Sequence, residues 1–360
     1  MKIAAHIVGD DATKSKLFCT LEILVHKYPE NTFIFFVENL LEGLPKNCKQ
    51  IVISPKPKNN FLLFFWYTYR LPSILKLHKK IVFVSEAGML CSKINRVQCL
   101  FFSKTNFWQE TNIYFKNIFK SSINNADKIF VAEDFIGEEL VAQHSNSLDK
   151  TTVVYNALSV KPKTYSDTAI QKIKEKYCDG FDYFLFAVNK HSAENVLVVL
   201  KAFSDLKKMQ KTSLKLILFL QNISQKNLIP DFKNYKYKSD IEFIKEEENT
   251  HEIISAAFGF IYFSDYGYMQ NAFIALQNNV PLIVDDDKTN NSIFNKAALF
   301  SKKSIKAISE KMQLLYKNEN QRNYLQNEGK VLLKKYSTNN AANTLYNTLV
   351  QQLDLKKAEK

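Results

Sequence analysis

The chain has 360 residues, of which 46% are hydrophobic, and carries a formal net charge of +13. Because single hydrophobic cores stop growing near roughly 250–300 residues, this length predicts two domains. The sequence holds 8 glycines, whereas average usage would give about 25. No two of them have the spacing of a P-loop or a dinucleotide-binding loop. Both loops need glycines at fixed positions, so their ordinary forms are excluded.

Charge and cysteine usage narrow the class of protein further. Only three of the 49 basic residues are arginines. Sequence-specific nucleic-acid readers rely on bidentate arginine contacts, so we expect no nucleic-acid partner. The 5 cysteines form no CxxC pair, which predicts neither a zinc site nor a disulfide scaffold and favours a cytoplasmic location.

The most apolar stretch, Phe61 to Tyr69, ends at Arg70 and Pro72. It is too short to span a bilayer. The pattern favours an aromatic core helix, and a helix lying on a membrane surface is the alternative. The N-terminal apolar run is broken by acids and too short for a signal sequence, so it is interpreted as the first strand.

Apolar runs and helical patterns alternate along the chain. In the first half, the predicted strands are Lys2–Val8, Thr32–Val37, Gln50–Ile53, Lys80–Val84, Cys99–Phe102, Lys128–Val131 and Thr152–Tyr155. Helices are predicted between them at Ser15–Lys27, Leu71–His78 and Tyr114–Asn125.

A second series follows the polar stretch Ser159–Gly180. Its predicted strands are Tyr183–Val188, Leu214–Leu220, Ile241–Ile244, Gly259–Phe263 and Pro281–Val284. Its predicted helices are Ala193–Lys208, Thr250–Ala257, Met269–Asn278, Lys303–Leu325 and Asn339–Leu353. Such alternation is typical of α/β proteins with parallel sheets. We therefore expect two doubly wound, Rossmann-like domains that face a cleft: residues 1–160, a linker at 161–180, and residues 181–335.

Several segments resemble the bacterial group-1 (family-four) retaining glycosyltransferases, which have the GT-B architecture. The segments are Ile81–Lys93, Lys128–Leu140, Val153–Ala157, Tyr183–Lys208, Asn278–Val284 and Tyr336–Leu349. The resemblance implies an acceptor-side N-terminal domain and a nucleotide-sugar-side C-terminal domain. It also implies that residues 336–360 form a helix that crosses back to the N-terminal domain. The implied reaction is transfer of a sugar from a nucleotide sugar with retention at the anomeric carbon, without a metal ion or a separate cofactor.

At the family's motif positions the sequence differs. The two motif acids are replaced by Tyr266 and Ile274, and the Arg/Lys pair by Ala193 and Glu194. The catalytic residues therefore stay unknown. The resemblance places donor-binding candidates at Lys190, His191, Asn195, Asp265, Gly267 and Tyr268. It places phosphate or acceptor-side candidates at Lys14, Ser103 and Lys104.

Three functions follow from this pattern, of which the third is a phosphorylase-like or sugar-phosphate-binding protein that uses the same cleft. The first is a glycosyltransferase that acts on a surface polysaccharide or glycolipid, with a nucleotide-sugar donor and peripheral contact at the inner face of the cytoplasmic membrane. The second is a non-catalytic homologue that binds a partner or a glycan. The run Asp285–Asp287 is tempting as a metal site, but consecutive carboxylates point different ways, so a turn is expected there.

Overall fold

The computed structural model describes residues 1–9, 15–54, 56, 59–78, 80–92, 94–104, 113–155, 163–224, 228, 232–245, 250–263 and 269–358. The chain divides into two compact units. Unit 1 comprises Met1–Ser159 and Tyr336–Lys360, and unit 2 comprises Val160–Lys335.

Unit 1 is built on a parallel sheet of seven strands. In chain order they are β1 Lys2–His6, β2 Thr32–Val37, β3 Cys48–Val52, β4 Ile81–Ser85, β5 Val97–Phe102, β6 Lys128–Val131 and β7 Thr151–Val153. The spatial order is β3-β2-β1-β4-β5-β6-β7. Strands β4 and β5 are buried along their whole length, as expected for parallel strands with both faces covered. Their sequences are accordingly apolar except for Ser85 and Gln98.

The helices of unit 1 cover both faces of this sheet. They are α1 Lys16–Lys27, α2 Asn60–Phe65, α3 Leu71–Lys76, α4 Ile113–Asn125, α5 Asp134–Gln143 and, from the C-terminus, α13 Thr338–Ala358. Ser15 caps α1, since its Oγ accepts a hydrogen bond from the N–H of Phe18 at 3.1 Å. A π-helical turn, Trp66–Arg70, joins α2 to α3.

The C-terminal helix α13 completes the core of unit 1. It packs against α1, with Ala342, Leu345 and Leu349 fully buried. The rings of Tyr28 and Tyr346 stack at a centroid distance of 3.8 Å. The predicted return of this helix to the N-terminal domain is confirmed.

Unit 2 repeats the architecture with six parallel strands. They are β8 Tyr183–Val188, β9 Lys215–Leu220, β10 Ile241–Lys245, β11 Gly259–Tyr262, β12 Leu282–Asp285 and β13 Ala298–Ser301. The spatial order is β10-β9-β8-β11-β12-β13. Its helices are α6 Asp167–Cys178, α7 Val196–Gln210, α8 Thr250–Ser255, α9 Gln270–Gln277, α10 Lys288–Phe294, α11 Ile305–Lys317 and α12 Glu319–Lys335. The predicted fold class, α/β with two doubly wound sheets, is confirmed.

Three predictions differ from the structure. Most of the stretch 161–180, predicted as a linker, forms helix α6, which starts at the N-cap Ser166 and buries Ile173 and Cys178. Most residues of α6 are not buried, so its sequence shows little of the hydrophobic periodicity that predicts a helix. The helix predicted at Lys303–Leu325 is two helices, because the chain leaves the helical conformation at Asn318.

The third difference concerns the aromatic stretch. It was expected to be a core helix, yet α2 buries none of its residues. Leu63 and Phe64 of α2 pack against the core while only partly buried, and the buried side chains of the stretch lie in the π-helical turn, with Trp66 7% and Tyr67 2% exposed. Within the described parts of the chain, no helix is both long and apolar enough to cross a membrane.

Candidate functional site

In both sheets the spatial order of successive strands reverses, so that the first strand of each unit lies beside the fourth. In unit 1 this switch lies between β1 and β4, and in unit 2 it lies between β8 and β11. In open α/β sheets, ligands bind outside the carboxyl ends of the strands at such a switch point. The residues that directly follow β1, β4, β8 and their neighbours are therefore the candidates for a site in each unit.

Glu86 is the first residue after β4, and it lies at the switch point of unit 1. It is 8% exposed. Its Oε2 accepts hydrogen bonds from the N–H of Val8, after β1, at 3.2 Å and from Ser15 Oγ at 2.8 Å. Its own N–H donates to the carbonyl of His6 at 3.2 Å. Burial raises the pKa of Glu86, and the hydrogen bond from Ser15 opposes that shift. The carboxyl group is thus fixed by Val8, which follows β1, and by Ser15, the N-cap of α1.

Two lysines face this carboxyl group. Lys16 begins α1 and is half-buried, and Lys104 follows β5 and is exposed. Both lie close enough to Glu86 to lower its pKa. Burial lowers the pKa of Lys16 to about 7, with Glu133 and Glu86 acting against that shift and Lys104 adding to it. At the carboxyl edge of its sheet, unit 1 therefore holds a lysine whose pKa lies near neutral pH.

Glu133 extends the same edge beyond β6. It is 1% exposed, and its Oε2 accepts a hydrogen bond from Tyr336 Oη at 2.6 Å. A buried carboxylate is costly unless it is hydrogen-bonded, so Tyr336 stabilises it. Tyr336 is the first residue of the C-terminal part of unit 1. Its hydrogen bond therefore connects that part to the carboxyl edge of the sheet.

His6 ends β1 and contacts the π-helical turn. Its Nδ1 lies 2.7 Å from Tyr67 Oη, which lies 2.7 Å from Ser85 Oγ. Burial lowers the pKa of His6 to about 3, so the ring is neutral. Its Nε2 is buried and has no hydrogen-bond partner among the described residues. The three side chains fasten the turn to β1 and β4.

In unit 2, the loop after β8 is held by its own side chains. Asn189 Oδ1 accepts hydrogen bonds from the N–H groups of His191 at 2.9 Å and Ser192 at 3.2 Å. Ser192 Oγ in turn accepts from the N–H of Asn189 at 2.9 Å and donates to the carbonyl of Ala187 at 3.0 Å. This arrangement leaves the side chains of Lys190 and His191 exposed.

Asn195 stands immediately before α7. It is 5% exposed, and its Nδ2 is buried without a hydrogen-bond partner among the residues that the structure describes. An unsatisfied buried donor costs about 1–3 kcal/mol. A ligand oxygen at this helix N-terminus, where anions are favoured, would satisfy it.

The predicted site residues divide into two groups. Lys190, His191 and Asn195 lie together at the carboxyl edge of unit 2, while Ser103 and Lys104 lie at that of unit 1. Lys14, Asp265, Gly267 and Tyr268 lie outside the described residues. Sequence reasoning missed Lys16, Glu86 and Glu133. A signal existed for the two acids, since each is an acidic residue just after an apolar strand.

The described residues contain no group of three or more His, Cys, Asp or Glu arranged to hold a metal ion. Asp285 pairs with Lys303 at 2.7 Å. Asp287 caps α10, its Oδ1 accepting from the N–H of Asn290 at 2.9 Å. The acidic run therefore leads from β12 into a helix.

Comparison with solved structures identifies the architecture. A glycosyltransferase from Rickettsia africae is 14% identical and has a TM-score of 0.71, with 98% of each chain covered. HepE of Anabaena, crystallised with UDP, is 10% identical and has a TM-score of 0.74 over 98% of this chain and 100% of that one. The fold is GT-B.

A third GT-B neighbour is WaaG, a glycosyltransferase involved in lipopolysaccharide biosynthesis. It is 10% identical, with a TM-score of 0.61 over 96% of this chain and 99% of WaaG. No protein-family model matches the sequence, and no curated protein matches it. At these identities the likeness establishes the GT-B fold, and the chemistry has to be argued from the residues.

Proposed function

We propose that this GT-B protein transfers a sugar from a nucleotide-sugar donor to a surface polysaccharide or glycolipid, with retention at the anomeric carbon. The nucleotide sugar is a substrate, and the reaction uses no metal ion and no separate cofactor. Unit 2 holds the donor and unit 1 the acceptor. The observation that carries this proposal is Asn195, whose buried amide donor is unsatisfied at the start of α7.

The chemistry of the donor explains why this feature matters. A departing nucleoside diphosphate develops negative charge, so hydrogen-bond donors and helix N-termini that face it lower the barrier. Asn195 Nδ2 supplies a donor, and Lys190 and His191 supply exposed polar groups on the same loop. The fold neighbour HepE was crystallised with UDP and with UDP-glucose, which supports a nucleotide sugar as the ligand.

Isothermal titration with UDP-glucose and GDP-linked sugars tests donor binding. We expect saturable binding of one of them at micromolar to millimolar concentration, weakened about tenfold by Asn195→Ala because one charge-assisted hydrogen bond is lost. The matched control is Asn320→Ala, which removes an exposed asparagine of α12 and leaves the affinity unchanged. Absence of binding by any nucleotide sugar at millimolar concentration would contradict the donor assignment.

A second function, a non-catalytic homologue that binds a partner or glycan, is favoured by one observation. Where the family has an Arg/Lys pair, Ala193 packs against the core of unit 2 and Glu194 is exposed. This exchange replaces two positive charges with one negative charge beside the proposed diphosphate. A sugar-transfer assay separates the two functions: measurable transfer that Lys190→Ala abolishes excludes the non-catalytic one.

The proposed location is the inner face of the cytoplasmic membrane. Unit 1 carries an aromatic surface made of Phe61, Leu62, Phe65, Tyr69 and Tyr114, each at least 39% exposed. The surface is continuous, because Phe61 and Phe65 lie 4.8 Å apart, Phe65 and Tyr69 stack at 5.9 Å, and Phe64 bridges to Tyr114 at 6.0 Å. Contiguous exposed apolar patches mark binding surfaces.

Basic residues accompany this aromatic surface. Lys116 and Lys120 follow Tyr114 on α4, and both are exposed. Aromatic rings flanked by lysines fit the interface of an anionic bilayer. In a flotation assay, we expect the protein to rise with vesicles containing phosphatidylglycerol. The double variant Phe61→Ser/Phe65→Ser should stay at the bottom, whereas the exposed-site control Leu355→Ser should float. Flotation of the double variant would contradict the assignment.

A further inference from the structure

We propose that the carboxyl edge of unit 1 binds a phosphate monoester that also carries hydroxyl groups. Lys16 and Lys104 contact the phosphate, and Glu86 accepts a hydrogen bond from a hydroxyl. Calling this ligand the acceptor rests on the proposed function, whereas its binding to unit 1 does not. No sequence motif pointed to Lys16 or Glu86.

Glu86 has one oxygen fixed and the other open. Oε2 takes both hydrogen bonds, from the N–H of Val8 and from Ser15 Oγ. No group among the described residues bonds to Oε1. A buried carboxylate oxygen held in one orientation is a strong acceptor for a ligand hydroxyl, because charge-assisted hydrogen bonds are about twice as strong as neutral ones.

The two lysines provide the positive half of the site. Lys16 and Lys104 lie close enough that the ammonium of Lys104 lowers the pKa of Lys16. A dianion placed between them would remove this repulsion. Lys16 also occupies the first turn of α1, a helix of 12 residues, whose N-terminus favours negative charge.

Three charged side chains among the described residues shift the pKa of Lys16 and enter the expected pH dependence. Glu133 and Glu86 favour its ammonium form, and Lys104 disfavours it. Glu133 is engaged by Tyr336, and Glu86 by Ser15 and Val8. Burial nevertheless brings the pKa of Lys16 to about 7. A bound dianion raises that pKa, so binding takes up a proton at and just above pH 7.

The first experiment uses sulfate, which stays dianionic throughout the range, so that any proton taken up from the buffer is bound by the protein and not by the ligand. Titration calorimetry of the full chain is run from pH 6 to 9 in two buffers of different ionisation enthalpy. We expect sulfate affinity to fall by up to about tenfold per pH unit above pH 7. Lys16→Met should weaken binding and abolish the pH dependence. Lys104→Met should weaken binding and keep the dependence, shifted to higher pH because Lys16 loses its like-charged neighbour.

The matched control removes the same charge elsewhere in unit 1. Lys46 is exposed and precedes β3, so Lys46→Met should leave both affinity and pH dependence unchanged. Equal weakening by Lys46→Met would show a general charge effect and overturn the assignment. Absence of sulfate binding at millimolar concentration, or normal binding by Lys16→Met, would overturn it as well.

The second experiment tests Glu86 with glycerol 3-phosphate and inorganic phosphate as probes. The wild-type protein should prefer glycerol 3-phosphate by about tenfold, the effect of one hydrogen bond to a charged group. In Glu86→Gln, the amide oxygen takes the place of Oε2 beside Ser15 and Val8, so an N–H₂ group replaces the open acceptor. That variant should lose the preference and bind inorganic phosphate more tightly, because a negative charge is gone. An unchanged preference would contradict the role of Glu86.

The closing comparison separates this site from the proposed donor site. UDP-glucose is titrated into the Lys16→Met and Glu86→Gln proteins. Weaker sulfate binding by Lys16→Met and loss of the glycerol 3-phosphate preference in Glu86→Gln, with unchanged UDP-glucose binding by both, support an independent site in unit 1. Parallel loss of both ligands would contradict it, since one shared site would then explain the data. Absence of UDP-glucose binding in the wild type, with phosphate binding intact, would remove the proposed donor and leave this site standing.

Discussion

The carboxyl edges of the two sheets have the same strand topology, but their side chains differ in chemistry. The edge of unit 1 is ionic: the buried Glu86 and Glu133 face Lys16 and Lys104. In unit 2, the edge after β8 is made of amides, a hydroxyl and backbone N–H groups arranged around Asn189 and Asn195. Because burial shifts the charge state of ionic groups, whereas amides carry no charge, the buried groups at the carboxyl edge of unit 1 should respond to pH more strongly than Asn189 and Asn195 in unit 2.

The largest change in stability should come from a substitution in α13, the C-terminal helix that belongs to unit 1. Leu345 of α13 is fully buried in the core of unit 1. Leu345→Ala should lower the free energy of unfolding of unit 1 by about 2–5 kcal/mol, through lost burial and the cavity left behind. Hydrogen exchange in increasing urea resolves the two units. Leu355→Ala, at a position 52% exposed on the same helix, is the control. Equal loss of protection in unit 2 would contradict separate folding units.

His6 should give unit 1 a pH-dependent stability. Its pKa is about 3 in the folded state against 6.5 unfolded, so below pH 6.5 the unfolded chain binds a proton that the folded one excludes. Stability from this group is complete above pH 6.5 and falls by up to about 1.4 kcal/mol per pH unit towards pH 3. Urea unfolding at pH 7, 6 and 5 measures it. His6→Asn should flatten the dependence of unit 1, and the exposed-loop control His191→Asn should not.

Tyr336→Phe tests the ionic character of the unit 1 edge directly. It removes the 2.6 Å hydrogen bond to the buried Glu133 and should cost unit 1 about 2 kcal/mol, the range for hydrogen bonds to charged groups. Tyr346→Phe, which removes a 3.0 Å hydrogen bond from the neutral Asn31 amide, should cost about 1 kcal/mol or less. If the two variants lose equal stability in urea unfolding, Glu133 does not carry a charge.

The smallest effect should come from the amide edge of unit 2. Asn195→Leu replaces an unsatisfied buried donor with an apolar side chain of similar shape, so unit 2 should lose no stability and should gain up to about 1 kcal/mol, the low end of the cost of that donor. Binding of UDP-glucose should still fall. Asn189→Ala, which removes the acceptor for two loop N–H groups, should destabilise unit 2 by about 1–2 kcal/mol. Thermal unfolding with and without UDP-glucose measures both variants.

Twelve of the thirteen strands among the described residues could be predicted from sequence, because buried parallel strands are apolar runs, whereas β13 was not predicted. Thr32–Val37, Lys128–Val131 and Tyr183–Val188 are strands with the predicted bounds. Helix α6 was missed because most of it is solvated: of its 12 residues, only Ile173 and Cys178 are buried. A helix with so few buried residues shows little hydrophobic periodicity in its sequence.

The candidate site could be predicted only where a residue type repeats a known motif. Lys190, His191 and Asn195 are candidates because their segment resembles a glycosyltransferase motif, and they lie at the carboxyl edge of unit 2. The proximity of Glu86 and Lys16 could not be predicted, because they are 70 residues apart and meet only through the pairing of β1 with β4. The pKa of Lys16 depends on burial, which no local pattern of letters reports.

The division of unit 1 into two sequence segments also bears on how the protein is made. Residues 1–159 leave the ribosome first, yet α13, which covers α1, is synthesised only after the whole of unit 2. At roughly 5–20 residues per second, the wait lasts about 10 to 35 s. During that time the apolar face of α1, with Leu17, Leu21 and Leu24, lacks its partner helix. Unit 2, whose residues are continuous, can finish folding first, so the nascent chain matures from its middle outwards.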